Sequence, residues 1–175
     1  MSLRSIPLLL AMTGGLTSFS AQAATTGTLT FAGQVDAGTC NLAAGDENRT
    51  LTLPTIKISD LDATPSAGQL DFEVSADCES DIRNVIFLFT GTPSAGNGEL
   101  FANTGGSKGT ALLLAHRAPA LSTIPANGTP DQRSRTVATS GNKAVLALAA
   151  AYHKTGEAIT QGSLASAVTV SITYN

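Results

Sequence analysis

Short runs of strict apolar and polar alternation, cut apart by turn residues, recur along this chain and leave little room for anything but a β fold. In "GQLDFEVSADC", Leu70, Phe72, Val74, Ala76 and Cys78 fall on one face. Gln69, Asp71, Glu73, Ser75 and Asp77 fall on the other. Successive strand side chains point to opposite faces, so this segment reads as a half-buried antiparallel strand. "NVIFLFTG" (84–91) is apolar on both faces, as a central strand requires, with Gly91 and Pro93 ending it. "TALLLAHR" (110–117), "RTVAT" (135–139) and "KAVLALAAAYH" (143–153) are further strand segments. The last of these contradicts its local propensity, since Ala and Leu are the best helix formers. Its length, its flanking turns and its all-β company nevertheless predict a strand. About seven short strands with regular turn signals imply an all-β, immunoglobulin-like β-sandwich.

Both ends of the domain carry the same signal. From Leu164, the positions Ser166, Val168, Val170, Ile172 and Tyr174 alternate with small or polar residues up to the terminal Asn175. A long apolar strand at the chain end must find a neighbour, because an unpaired apolar edge invites pairing with another chain. Near the start, Gly27, Leu29, Phe31, Gly33 and Val35 alternate with Thr28, Thr30, Ala32 and Gln34. A glycine inside such an apolar row weakens a strand unless another group must approach closely there.

The first residues, "MSLRSIPLLLAMTGGLTSFSAQA", have an early Arg4, an apolar run around Ile6 to Met12 and the small-residue triplet Ala21-Gln22-Ala23. This is the layout of a secretory signal peptide, residues 1–23. The run is short and broken by Pro7, Gly14 and Gly15, which argues against a membrane anchor. Removing it leaves residues 24–175, one domain's worth of chain. "AVLALAAAY" is too short to span a bilayer, so no membrane span is expected after cleavage. With 10 basic and 13 acidic residues, and the basic ones scattered, nothing points to a nucleic-acid partner. Cys40 and Cys78 are an even count in an exported chain and lack the close spacing of metal ligands. A disulfide is expected, with a free buried pair as the alternative.

Candidate chemistry is sparse. "GGSKG" (105–109) matches the nucleophile-elbow pattern around Ser107, but that motif works only on a sharp strand-to-helix turn with a base within reach, and no amphipathic helix follows this Gly-rich loop. A flexible hairpin loop is the expected role. His116 and His153 belong to no ligand cluster. Asp46 with Glu47, and Asp77 with Glu79, read as solvated loop charge, because a glycosidase pair is defined across a cleft and not by adjacency. The expectation is no enzyme, no cofactor and no metal.

Several marks occur together in order: "GTLTFAGQVDAGTC" at the start, "TLTLPTI" after the first cysteine and the second cysteine closing "FEVSADC". Gly162 and the penultimate Tyr174 follow near the end. In these features residues 24–175 resemble the fimbrial (pilin) subunits of the chaperone–usher pathway, of the type 1 pilus kind. The resemblance implies a sandwich that lacks its last strand, with residues 37–175 as pilin domain and 24–36 as an N-terminal donor-strand extension. It implies partners: other pilin subunits, a periplasmic chaperone and an outer-membrane usher, with export through the periplasm to a surface fimbria that supports adhesion. Leu29, Phe31 and Val35 would fill pockets of a neighbour's groove, with Gly33 where exchange begins and Gly27 keeping register without an apolar side chain. The acceptor groove would be formed by Gly162, Leu164, Val168, Val170, Ile172 and Tyr174, with the carboxylate of Asn175 anchored by the chaperone. The alternative is a periplasmic or fibre-tip β-sandwich binding module. Tip adhesins of the family resemble two domains, whereas this chain has room for one, and an extension at the tip would have no neighbour to serve.

Overall fold

The computed structural model describes residues 29–175; the predicted signal peptide and Gly27 lie outside the described residues. The chain divides into two compact units, Met1–Val35 and Asp36–Asn175. The strands among the described residues belong to the second. They are β1 (Cys40–Leu42), β2 (Ser66–Cys78), β3 (Asn84–Gly91), β4 (Thr110–His116), β5 (Ser122–Thr123), β6 (Ser134–Ala138), β7 (Lys143–Lys154) and β8 (Val168–Tyr174). One helical turn, α1 (Pro130–Arg133), and a 3-10 turn at Ile58–Leu61 are the helical elements among the described residues. No helix there is long and apolar enough to cross a membrane.

Every strand pairing among the described residues is antiparallel. One sheet has the order β1-β2-β7-β4-β5 and the other β6-β3-β8. The inner faces of the two sheets share one core. Val85, Phe87 and Phe89 of β3 meet Val74 and Ala76 of β2, Leu112 and Leu114 of β4, and Leu146 and Leu148 of β7 in one buried cluster. The central role expected of residues 84–91 is therefore observed.

The Ala-rich stretch is a strand despite its helical propensity. β7 pairs with β2 on one side and β4 on the other, so both of its backbone edges are satisfied. Its alternation places Leu146 and Leu148 in the core. Tertiary pairing overrides a propensity that is only a fraction of a kcal/mol per residue, roughly 0.7 at most among ordinary residues.

Cys40 and Cys78 face each other across β1 and β2 and are joined in a disulfide, their Cα atoms 4.1 Å apart. Just before this staple the Gly38 N–H donates to Asp81 Oδ2 at 2.8 Å, and the Thr39 N–H to Glu79 Oε2 at 3.0 Å. Glu79 thus has a structural task, and so does Asp46, whose Oδ2 accepts from both the N–H and the hydroxyl of Ser75. Glu79 is exposed, as a solvated loop charge should be, and bonds the backbone as well; for Asp46, whose side chain is only 10% exposed, the expectation is corrected.

Candidate subunit interface

β8 is the edge of the three-stranded sheet, and its hydrogen-bonding register fixes what that edge offers. Asn175 and Asn84 exchange both backbone bonds, each at 3.1 Å. In an antiparallel ladder such pairs alternate, and the register has no irregularity from Tyr174 opposite Val85 to Val168 opposite Gly91. Thr169, Ser171 and Thr173 therefore spend their N–H and C=O groups on β3. Val168, Val170, Ile172 and Tyr174 aim theirs away from it, and among the described residues none of these groups is bonded.

The same four residues, by the period of the pleat, share one face. Val168, Val170 and Ile172 are half-buried against the core, whereas Val85, Phe87 and Phe89 on the neighbouring strand are fully buried. Leu164 is half-buried in the same alternating row. Apolar side chains in a half-closed environment beside unpaired backbone make an edge ready for one more strand.

Leu42 of β1 and Leu53 of the "TLTLPTI" segment are half-buried against the same core. Residues 50–56 have no backbone–backbone hydrogen bond among the described residues. Leu42 and Leu53 were not singled out from sequence, although the alternation of Leu51, Leu53 and their polar neighbours carries the signal.

Asn175 closes the far end of β8. Its carbonyl oxygen accepts from the N–H of Arg83 at 2.9 Å and of Asn84 at 3.1 Å, and its side-chain oxygen from Asn84 Nδ2 at 3.2 Å. These bonds lock the strand in register against β3.

At the other end, the strand expected from Leu164 enters the sheet only at Val168. The physical reason is that β3 ends at Gly91, and the 103–107 loop bonds residues 163 and 165 instead. Gly162 sits where backbone meets backbone: a Cβ there would collide with Gly106 and Ser107. This close approach is what the position requires.

Of the candidate extension residues, Leu29, Phe31 and Val35 are 82%, 89% and 98% exposed. Gly33 has open space where a Cβ would stand. The Ser107 hydroxyl donates to the carbonyl of Thr160 at 2.8 Å and accepts from the Thr110 hydroxyl, and no histidine is among its partners in the described residues. His153 Nδ1 faces the Lys154 carbonyl, and His116, at the end of β4, has its pKa lowered by burial and then by the Arg135 charge. The loop expected to be flexible is held by a residue the sequence reading missed, Asn103, whose side chain bonds Gly105, Ser107, Thr110, Ser163 and Ala165.

Two antiparallel sheets around one disulfide-stapled core, with the apolar strand β8 at a sheet edge, define an immunoglobulin-like sandwich domain. The model of the family described as fimbrial protein matches residues 16–175, and the chain belongs to that family. It is accordingly a structural, non-enzymatic fimbrial subunit, at home in a surface fimbria among other pilin subunits. Among solved structures, the P pilus rod subunit PapA is similar at 17% identity, with a TM-score of 0.63 over 78% of this chain and 99% of that one. A chaperone–usher pilus structure concerned with rod uncoiling is similar at 18% identity, with a TM-score of 0.61 over 87% and 98%. A type I fimbria protein and antigen of Burkholderia pseudomallei is similar at 16% identity, with a TM-score of 0.52 over 79% and 99%. At such identities these likenesses speak for the fold. No curated protein sequence matches the chain.

Proposed function

We propose that this subunit polymerises by donor-strand complementation: residues 24–36 of one copy lie in the groove beside β8 of the next. Leu29, Phe31 and Val35 supply the apolar side chains, with Gly33 where the incoming and outgoing strands overlap. Leu164, Val168, Val170, Ile172 and Tyr174 receive them. Before assembly, a periplasmic chaperone fills the same edge and pairs with the carboxylate of Asn175, and an outer-membrane usher passes the subunit, freed of residues 1–23, into a fibre that supports adhesion. This is β-strand addition, in which main-chain bonds give affinity and alternate side chains give specificity.

The observation that carries the reading is the edge of β8. Among the described residues, the outward N–H and C=O groups of Val168, Val170, Ile172 and Tyr174 have no bonding partner, and they stand beside half-buried apolar side chains. The extension offers the complement, an alternating row whose large members are almost wholly exposed.

The test is a thermal melt of the full mature chain carrying Phe31→Asp, which disables its own extension, with and without a peptide of residues 24–36. A ligand bound only by the folded state stabilises by RT ln(1 + [L]/Kd), about 2.7 kcal/mol at 100 Kd. A clear rise in Tm is expected, and none with the peptide carrying Phe31→Asp. No rise with either peptide refutes the reading.

A further inference from the structure

We infer that the 103–107 loop, held by Asn103, acts as a surrogate strand that lengthens the acceptor edge beyond the end of β3, back to Leu164. The inference rests on the donor-strand reading and adds to it a positioning residue and a groove length.

β3 ends at Gly91, opposite Val168, so β8 paired with β3 alone presents four outward positions: 168, 170, 172 and 174. Upstream, the loop takes over β3's part. The Thr104 N–H donates to the Ala165 carbonyl at 2.7 Å, and the Ser107 N–H to the Ser163 carbonyl at 3.0 Å. Asn103 Oδ1 accepts from the Ala165 N–H at 2.9 Å, and Asn103 Nδ2 donates to the Ser163 and Ser107 carbonyls. Residues 163 and 165 have the same parity as 169, 171 and 173, the residues bonded to β3. Leu164 and Ser166 consequently continue the outward row, and their alternation in burial runs unbroken into Val168.

Two further observations agree. The donor row of Gly27, Leu29, Phe31, Gly33 and Val35 has five positions, one more than β8 offers with β3 alone, and the lengthened edge accommodates it. Ser166 Oγ is a buried polar atom without a hydrogen-bond partner among the described residues, which places an unfinished environment at this end of the row. Asn103 is the residue on which the lengthening depends, since it is bonded to both the loop and the 163–165 segment.

Residue-resolved amide exchange of the full mature Phe31→Asp chain, with the 24–36 peptide at about 100 times its Kd, separates the outcomes. Amides that exchange only from the free state slow by about 100-fold there. Slowing at Leu164 and Ser166 together with Val168, Val170 and Ile172 is the expected result. Slowing confined to 168–174 overturns the inference and leaves donor-strand complementation standing, whereas no slowing anywhere overturns both. In an Asn103→Ala version, slowing at 164 and 166 is lost and that at 170 and 172 stays. Amides of Thr169, Ser171 and Thr173, bonded to β3, report whether the variant still folds. If it does not, Asn103→Asp, which keeps the acceptor for Ala165 and drops the donors, is read instead, with the same loss expected in part. Unchanged slowing at 164 and 166 in a folded variant removes Asn103 from its assigned role.

Discussion

Truncating Phe31 to alanine tests the donor strand at its largest side chain. Phe31 is 89% exposed in the free chain, so nearly all of its surface remains to be buried in a neighbour. Fully burying a side chain of this size is worth about 1.5–3 kcal/mol. Alanine retains only a small part of that, and every 1.4 kcal/mol is tenfold in affinity, so the 24–36 peptide should bind about 10- to 150-fold more weakly. Competition of the two peptides for the full mature Phe31→Asp chain, followed by fluorescence anisotropy, measures the ratio directly. The fold is untouched by this design, because the change lies in the added peptide. An alanine peptide binding within about twofold of the wild type, a difference near 0.4 kcal/mol, would show that Phe31 enters no pocket. The extension would then have to be held through its backbone alone, and the role given to its apolar row would be wrong.

Replacing both Cys40 and Cys78 by alanine opens the loop they close, for which the chain-entropy relation gives about 4 kcal/mol; denaturant unfolding with and without reductant checks it. Gly162→Ala forces a Cβ into the backbone of Gly106 and Ser107, and a loss of about 1–3 kcal/mol is expected, measured as a lower Tm with the β8 edge retained in the exchange pattern. The lowered pKa of His116 means that the unfolded chain takes up the proton first. This contribution to stability is therefore complete above about pH 6.5 and is lost as pH falls through that value toward the native pKa. His116→Gln should flatten the decline in urea midpoint between about pH 7 and pH 5, and an unchanged slope would remove His116 as its source.

The alternation of residues 70–78, the double-sided apolar run 84–91 and the terminal row 164–174 were legible because strand side chains repeat every two residues. A strand with one wet face must write that period into its sequence. The paired cysteines were legible for a similar reason, their number and compartment bounding what they can form. Marks such as Gly162 could be noticed in the sequence, but their cause was not visible there: the backbone of Gly106 and Ser107, more than fifty positions away, occupies the space a side chain would need. Asn103 gave no signal, since an asparagine two residues before a glycine pair is the composition of any turn, and only folding brings Ser163 and Ala165 to its amide. Residues 143–154 carried a helical preference that two neighbouring strands outweighed. That the chain makes strands, and which face of each is apolar, follows from the order of its residues alone. Which strand is left at the edge, and where its neighbour β3 gives out, was decided by the tertiary structure, because an edge is a property of what lies beside a strand and not of the strand's own residues.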